Sequence, residues 1–507
     1  MSTERTFAVI VGSGFAGLGA AIALKRAGLH DFVVLEKAGA VGGTWRENTY
    51  PGCACDVPSH VYSFSFFPNP RWSETYATQP EIRDYLERAT DRFDVRRHLR
   101  FGAEVVTATL DEERGTWTVT TKGGDTFVAD VVVAGLGPLH RWSFPKVPGL
   151  ERFRGKAFHS AGWDHAFDPS GKRIAAIGTG ASAIQFIPEL AKVAARLHVF
   201  QRTPAWVLPR EERTYGELEK LALERVPGLR LLLRGEQFLR AEMRSFAFVN
   251  EPRLLALAER MAKRNIAKAI SDPELRAKLT PTYRMGCKRI LMSNTYYPAL
   301  ARPNVELVAG ALERVTESGV VGPDGKERPV DAVVFGTGFD VHDYLGGLHV
   351  FGRGGRELGA EWSARGAEAY LGTVVSGFPN LFTLVGPNTG LGHNSIIFMI
   401  ESQVRLVMKC VERIRRAPGT LLEVREDVQR AFNERIQRKL SETVWQSGCR
   451  SWYLDARGKN TTIWPGFCVG FRWETSRFSE RDFRIEVAPR ARGPVETRGE
   501  PSSVPAG

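Results

Sequence analysis

Apolar residues gather in short unbroken runs that alternate with helix-forming stretches. Phe7-Ala-Val-Ile-Val11 and Phe32-Val-Val-Leu35 carry no charge and no alternation of polar positions. Runs of this kind predict strands of a parallel sheet covered on both faces. Between them lie the turn Gly12-Ser-Gly14-Phe-Ala-Gly17 and a helix-forming stretch over 20–27. The order then recurs as Arg173-Ile-Ala-Ala-Ile177, Gly178-Thr-Gly180-Ala-Ser-Ala183, a helix over 184–193, and Leu197-His-Val-Phe200. In both copies 24 residues separate the first glycine from the polar residue closing the second strand, Gly12 to Glu36 and Gly178 to Arg202. A later strand, Asp130-Val-Val-Val-Ala-Gly135-Leu-Gly137, aligns without gaps with Asp331-Ala-Val-Val-Phe-Gly336-Thr-Gly338.

This repeat predicts an α/β protein with two dinucleotide-binding (Rossmann-like) domains. Residues 1–142 and 375–486 read as the first domain, and 150–210 with 300–374 as the second. A helical insertion, rich in Leu, Ala, Arg and Glu, occupies 211–299. Its basic, amphipathic part over 229–269 suits either a cap packing its apolar stripe on the domain below or a membrane surface; the cap is the preferred reading. Helical patterns over 395–416 and 427–445 return to complete the first domain. Residues 487–507, rich in Pro, Arg, Gly and Ser, read as a disordered tail.

Composition narrows the class. With 43% hydrophobic and 25% charged residues in a chain of 507, a disordered, collagen-like or disulfide-stapled protein is excluded. The net charge of +12 suits anionic nucleotides but is too diffuse to argue for nucleic acid. The cysteines at 53, 55, 287, 410, 449 and 468 make no CxxC pair and no zinc spacing, so no metal is expected. Without a secretion signal they predict reduced thiols and a cytoplasmic protein. Cys53-Ala-Cys55 is too tightly spaced for a thioredoxin-type pair and reads as two packed thiols. The uncharged stretches 6–24 and 371–400 are interrupted by glycines, the second also by prolines, and neither qualifies as a transmembrane segment.

The glycine loops carry the first chemistry. Gly12 permits the tight turn, Gly14 lets backbone approach a pyrophosphate beside Phe15, and Gly17 lets helix and strand pack closely. Glu36, 19 residues after Gly17, is placed to accept hydrogen bonds from adenosine ribose hydroxyls. In the second loop Gly178, Thr179, Gly180, Ala181, Ser182 and Ala183 form the corresponding cradle, with alanine at the third glycine position. The residues after its second strand, Gln201, Arg202 and Thr203, include no carboxylate. An arginine there grips a 2′-phosphate that a glutamate would repel. The first site therefore suits a dinucleotide with free ribose hydroxyls and the second NADP(H), which together imply a flavin, FAD, reduced by NADPH.

Two further stretches carry a resemblance. Phe153-Arg-Gly155-Lys-Ala-Phe-His159-Ser-Ala-Gly-Trp163-Asp164 and Gly42-Gly43-Thr-Trp45-Arg-Glu-Asn-Thr-Tyr50-Pro51-Gly52-Cys-Ala-Cys-Asp56 match the two signatures of Baeyer–Villiger monooxygenases. The chain resembles that family over about residues 5–485. The resemblance implies that Thr44, Trp45, Asp56 and Tyr62 contact the flavin, and that Ala54, Cys55 and Asp56 border the nicotinamide. Lys288-Arg289 matches the family's Lys-Arg pair, implying that the lysine holds the 2′-phosphate and that Arg289 sits beside the flavin. There Arg289 would stabilise a flavin-borne peroxide anion, with Asp56 orienting it. His159 is implied to belong to the linker that couples cofactor movement, not to proton transfer. The activity implied is insertion of one oxygen of O2 beside the carbonyl of a small ketone, giving an ester or lactone. The alternative on the same scaffold is oxygenation of sulfide or amine heteroatoms; the Trp163-Asp164 ending favours the ketone. The resemblance also favours a monomer or weak dimer.

Overall fold

A computed structural model describes residues 3–142, 144–449 and 451–489, so most of the expected tail lies outside the described residues. The chain opens with strand β1 (Thr3–Val11), helix α1 (Phe15–Arg26) and strand β2 (Phe32–Glu36). β1 pairs in parallel with β2, Val9 opposite Val33, and on its other side with β3 (Thr126–Ala134), Val9 opposite Val132. Successive side chains enter different cores. Ile10 and Val34 face one apolar cluster, Val9 and Val33 another, so every residue of β2 is buried.

The second sheet repeats the arrangement with β4 (Arg173–Ile177), α2 (Ala183–Val193), β5 (Arg196–Gln201) and β6 (Ala332–Phe335), flanked by strands Lys156–His159 and Val305–Ala309. All of its pairings are parallel. One continuous apolar cluster runs from Ile10 and Val34 through Tyr50 to Ile174, Phe186 and Ile187, so the two sheets share a core.

The insertion contains helices α3 (Leu229–Val249) and α4 (Leu255–Ala269), and the chain returns through α5 (Ile396–Ile414) and α6 (Cys468–Thr475). α5 starts where Ser395 caps it, its Oγ accepting from the Ile397 N–H at 3.3 Å. It packs on α1, whose Gly19 leaves room for Ile400.

Two expectations need correction. Strand His349–Phe351, within the stretch assigned to the second domain, pairs with strand Val105–Asp111 of the first sheet. Leu348, Val350 and Leu358 fill that sheet's outer core, and a strand of three residues is too short to show a period. The insertion packs as the expected cap: Ala241 and Phe248 of α3 and Leu255, Ala262 and Ile266 of α4 are buried, while Leu232 and Leu239 on another side of α3 face water. Glu242 is buried beside them, its carboxylate accepting the first backbone N–H groups of α6. Finally, Cys287 and Cys449, 162 residues apart, are joined in a disulfide, against the expectation of six reduced thiols. Only the fold brings them within reach. Cys53, Cys55, Cys410 and Cys468 are free and buried. Among the described residues no helix is long and apolar enough to cross a membrane.

Candidate active site

The two glycine loops share one geometry. Gly12, at φ +96°, donates its N–H to Leu35 O at 2.8 Å, and Gly178, at φ +105°, donates to Phe200 O at 3.1 Å. Gly135 N donates to Val11 O at 2.9 Å, and Gly336 N to Ile177 O at 2.8 Å. A Cβ on Gly12 would fall 2.8 Å from the Gly135 carbonyl oxygen, and one on Gly178 2.5 Å from that of Gly336. On Gly17 it would collide with the Gly12 carbonyl oxygen. At the matching place the second loop carries Ala183, whose Cβ packs against Gly336: a Cβ added there would come within 3.1 Å of it.

The first loop leaves a groove free of side chains where a phosphate would lie. Gly14 backs onto Gly43, a Cβ there coming within 3.6 Å of the Gly43 Cα, at the N-terminus of α1. Phe15 is buried edge-on to Tyr62, ring centroids 5.3 Å apart. Thr44 and Trp45 begin a short helix, Thr44–Glu47, and the Trp45 indole donates to the Tyr62 hydroxyl at 3.0 Å. Glu36, buried at the end of β2, accepts from Ser13 N at 2.9 Å and Ser13 Oγ at 2.7 Å on one oxygen. Its other oxygen accepts from Ala38 N at 3.0 Å and pairs with Arg46 at 3.1 Å. The carboxylate thus fixes the loop.

At the second loop Gly180 and Ala181 are exposed and Ser182 is half-buried, so backbone donors at the start of α2 are open. Thr179 Oγ1 donates to Thr203 O at 3.3 Å, and Gln201 is held inward by donating to Lys278 O at 2.8 Å. Arg202 is exposed. Burial, then the positive charge of Arg202, pushes Lys288 below its ordinary value. Lys288 Nζ lies 5.1 Å from the centre of the Tyr283 ring. Neither Arg202 nor Lys288 is in an ion pair among the described residues, and the two are near enough for one charge to act on the other.

Between the loops, Arg289 Nη2 donates to Asp56 Oδ2 at 2.5 Å. About a third of each side chain is open, 36% for Arg289 and 32% for Asp56, so the pair faces a crevice. Burial alone would raise the Asp56 carboxyl, but the Arg289 charge and hydrogen bond hold it below the ordinary carboxylate range. Arg289 is in turn raised, chiefly by Asp56.

Two residues that the sequence reading missed complete this region, with a third that it read as a substrate-side loop aromatic or a core one. Arg210 donates to Cys55 O at 3.1 Å and stacks over Tyr76 at 4.4 Å. Gln185 on α2 donates to Ala54 O at 3.0 Å and accepts from Tyr50 OH at 2.9 Å, stapling residues 50–54 to the second unit. Tyr453, the third, is buried beside Arg289. The disulfide joins Cys449 to the residue before Lys288. Gln185 could have been noticed, a polar residue between Ile184 and Phe186; Arg210 carries no local signal.

His159 ends strand Lys156–His159, its ring 5.6 Å from that of Trp142 and 5.9 Å from that of Phe339. These are the two segments linking the sheets, bridged to each other at Trp142 and Phe339. Its Nδ1 accepts from Ala161 N at 3.1 Å, and burial pushes its pKa down to about 4. A neutral histidine in the linker is far from a proton-transfer group at neutral pH.

Comparison with known proteins gives concordant matches. A family model described as flavin-binding monooxygenase-like matches residues 5–345. A Baeyer-Villiger monooxygenase of Streptomyces coelicolor is 50% identical over 484 residues, spanning 95% of this chain and 93% of that protein. A cyclohexanone monooxygenase from Rhodococcus sp. Phi1, solved with NADP+, superposes with a TM-score of 0.86 at 31% identity, covering 96% of this chain and 100% of that one. The structure of OTEMO in complex with FAD and NADP gives a TM-score of 0.85 at 26% identity, covering 95% and 99%.

Proposed function

We infer, from a chain that belongs to the flavin-binding monooxygenases and matches Baeyer–Villiger enzymes along nearly its whole length, that it inserts one oxygen atom of O2 beside a ketone carbonyl. The product is an ester or lactone, and the cofactors are FAD and NADPH. When bound, FAD supplies the redox chemistry that takes hydride from NADPH and activates O2.

The protein's own groups bind, orient and stabilise. Gly12, Gly14 and Gly17 admit the FAD pyrophosphate at the head of α1, with Glu36 toward the ribose and Thr44, Trp45 and Tyr62 toward the ring. Residues 178–183 cradle the NADP pyrophosphate, and Arg202 with Lys288 grips the 2′-phosphate. Arg289 holds a permanent positive charge at the crevice and stabilises the negative charge that develops on the carbonyl oxygen. Asp56 fixes its direction, leaving the rest of the guanidinium free to face the substrate.

The Arg289–Asp56 pair is the observation that carries the reading. A carbonyl carbon is attacked by an anion, whereas a sulfide or amine attacks an electrophile. A fixed cation in the crevice favours the first. The test is to supply matched ketones and sulfides with NADPH and quantify products by gas chromatography. Ester or lactone in clear excess over sulfoxide is expected; sulfoxide alone would overturn the ketone assignment.

A further inference from the structure

The helical insertion leaves apolar side chains facing outward as well as inward. On α3, Leu232, Leu239, Met243 and Phe246 stand 7, 4 and 3 residues apart, which places them on one stripe. They are 73, 61, 61 and 42% exposed, while Ala241, Glu242, Ser245 and Phe248 are buried. The water-facing stripe of a surface helix is normally polar.

The outward setting of this stripe is fixed from the other side of the helix. Glu242 Oε1 accepts from Asn394 Nδ2 at 2.8 Å and from Cys468 N at 3.2 Å, and Oε2 accepts from Val469 N at 3.3 Å. The carboxylate therefore caps α6 and cannot turn to solvent without orphaning buried donors. Ser245 Oγ donates to Gly466 O at 3.4 Å just below. These bonds bring the N-terminus of α6 to α3, and α6 carries the exposed Val469 and Trp473, one turn apart. Past the short turn after α3, α4 continues with exposed Leu257 and Met261. Most of the large apolar side chains left exposed among the described residues fall in 218–261 and 467–473.

The charge along α3 and α4 is mostly positive. From 225 to 268, eight arginines and lysines are exposed, against a single exposed carboxylate, Glu236, among the described residues. Arg253, Arg260 and Arg264 border the apolar positions of α4. Apolar stripes rimmed by cations are the pattern of helices that lie in a membrane interface, with the stripe among acyl chains and the cations at headgroup phosphates. No described helix is long and apolar enough to cross a bilayer. A second copy of the chain fits less well, because a two-fold contact would set one basic rim against the other.

We propose that α3, α4 and α6 form a docking face for the surface of an anionic lipid bilayer. The stripe enters the interface and the basic rim selects for negatively charged headgroups. The oxygenase chemistry described above is independent of this attachment.

The test is flotation of the FAD-loaded full chain with vesicles of phosphatidylcholine alone or mixed with phosphatidylglycerol, at low and high salt. Binding to the mixed vesicles is expected at low salt, weakening as salt rises. The variant Leu232→Ser/Leu239→Ser/Met243→Ser should lose binding by about a hundredfold. Its thermal midpoint and its NADPH oxidation with a soluble ketone should be unchanged. Arg253→Glu/Arg260→Glu/Arg264→Glu should abolish the preference for phosphatidylglycerol. The proposal is overturned if the full chain floats with neither vesicle, if it binds both compositions equally, or if the leucine variant binds like the parent. Sedimentation showing a dimer that the leucine variant dissociates, with no vesicle binding, would assign the face to a second copy instead.

Discussion

Arg289 and Asp56, 233 residues apart in sequence, meet with Nη2 and Oδ2 at 2.5 Å. The contact joins the end of the helical insertion to the flavin-side segment, so the charge at the crevice is set by two parts of the chain at once. Replacing Arg289 by alanine should lower the rate of ketone oxygenation by about a hundredfold to a thousandfold. NADPH oxidation should continue, with H2O2 in place of ester. Arg289→Lys keeps the charge but loses the planar fork and should recover only part of the loss. Product formed per NADPH consumed separates the three enzymes.

Asp56 supplies a pH prediction. Its folded pKa is depressed, so the stability it contributes is fully present above the ordinary carboxylate value, near ~4, and is lost as pH falls through the lower folded value. The ketone rate should therefore show no limb from this group between about pH 5 and 8. Asp56→Asn should keep a flat profile in that window but lower the rate by up to about a hundredfold through misdirection of Arg289. A rate that rises through this window in the parent and is flattened in Asp56→Asn would show the carboxylate titrating there.

Arg202 and Lys288 should act on cofactor choice. Arg202→Ala is expected to raise the KM for NADPH by roughly tenfold to a hundredfold, with little change for NADH. Lys288→Ala should act in the same direction. Steady-state kinetics with both nicotinamides reads the ratio directly.

The Cys287–Cys449 link closes a long loop. Thiol titration of unfolded, unreduced protein should find four free thiols, those of Cys53, Cys55, Cys410 and Cys468. Cys287→Ser should lower stability toward denaturant by about 2–5 kcal/mol. Six titratable thiols would show that the two sulfurs are reduced in solution.

Legibility in the sequence followed the range of the forces involved. Gly12 and Gly178 were readable because a turn at positive φ pressed against a neighbouring carbonyl tolerates little else. β2 and β4 were readable because a doubly covered strand must be apolar throughout or nearly so. Arg202 stood out through its register with Glu36. Arg210 was not readable, since its partners Cys55 and Tyr76 lie on a remote segment and nothing in its neighbourhood marks it. The disulfide likewise depends on closure of a 162-residue interval. The cap was legible from the period of α3, but which of its apolar residues turn inward was not: Ala241 and Phe248 are buried with Glu242, while Leu239 and Met243 stay exposed.

The central claim is oxygen insertion beside a carbonyl, and isotope tracing tests it most directly. The FAD-loaded enzyme would be given NADPH, a panel of cyclic and linear ketones, and O2 enriched in the heavy isotope. One heavy oxygen in the ester or lactone product, matched by one NADPH consumed, is the predicted result. NADPH consumption balanced entirely by H2O2, with no labelled ester from any ketone, would contradict the account.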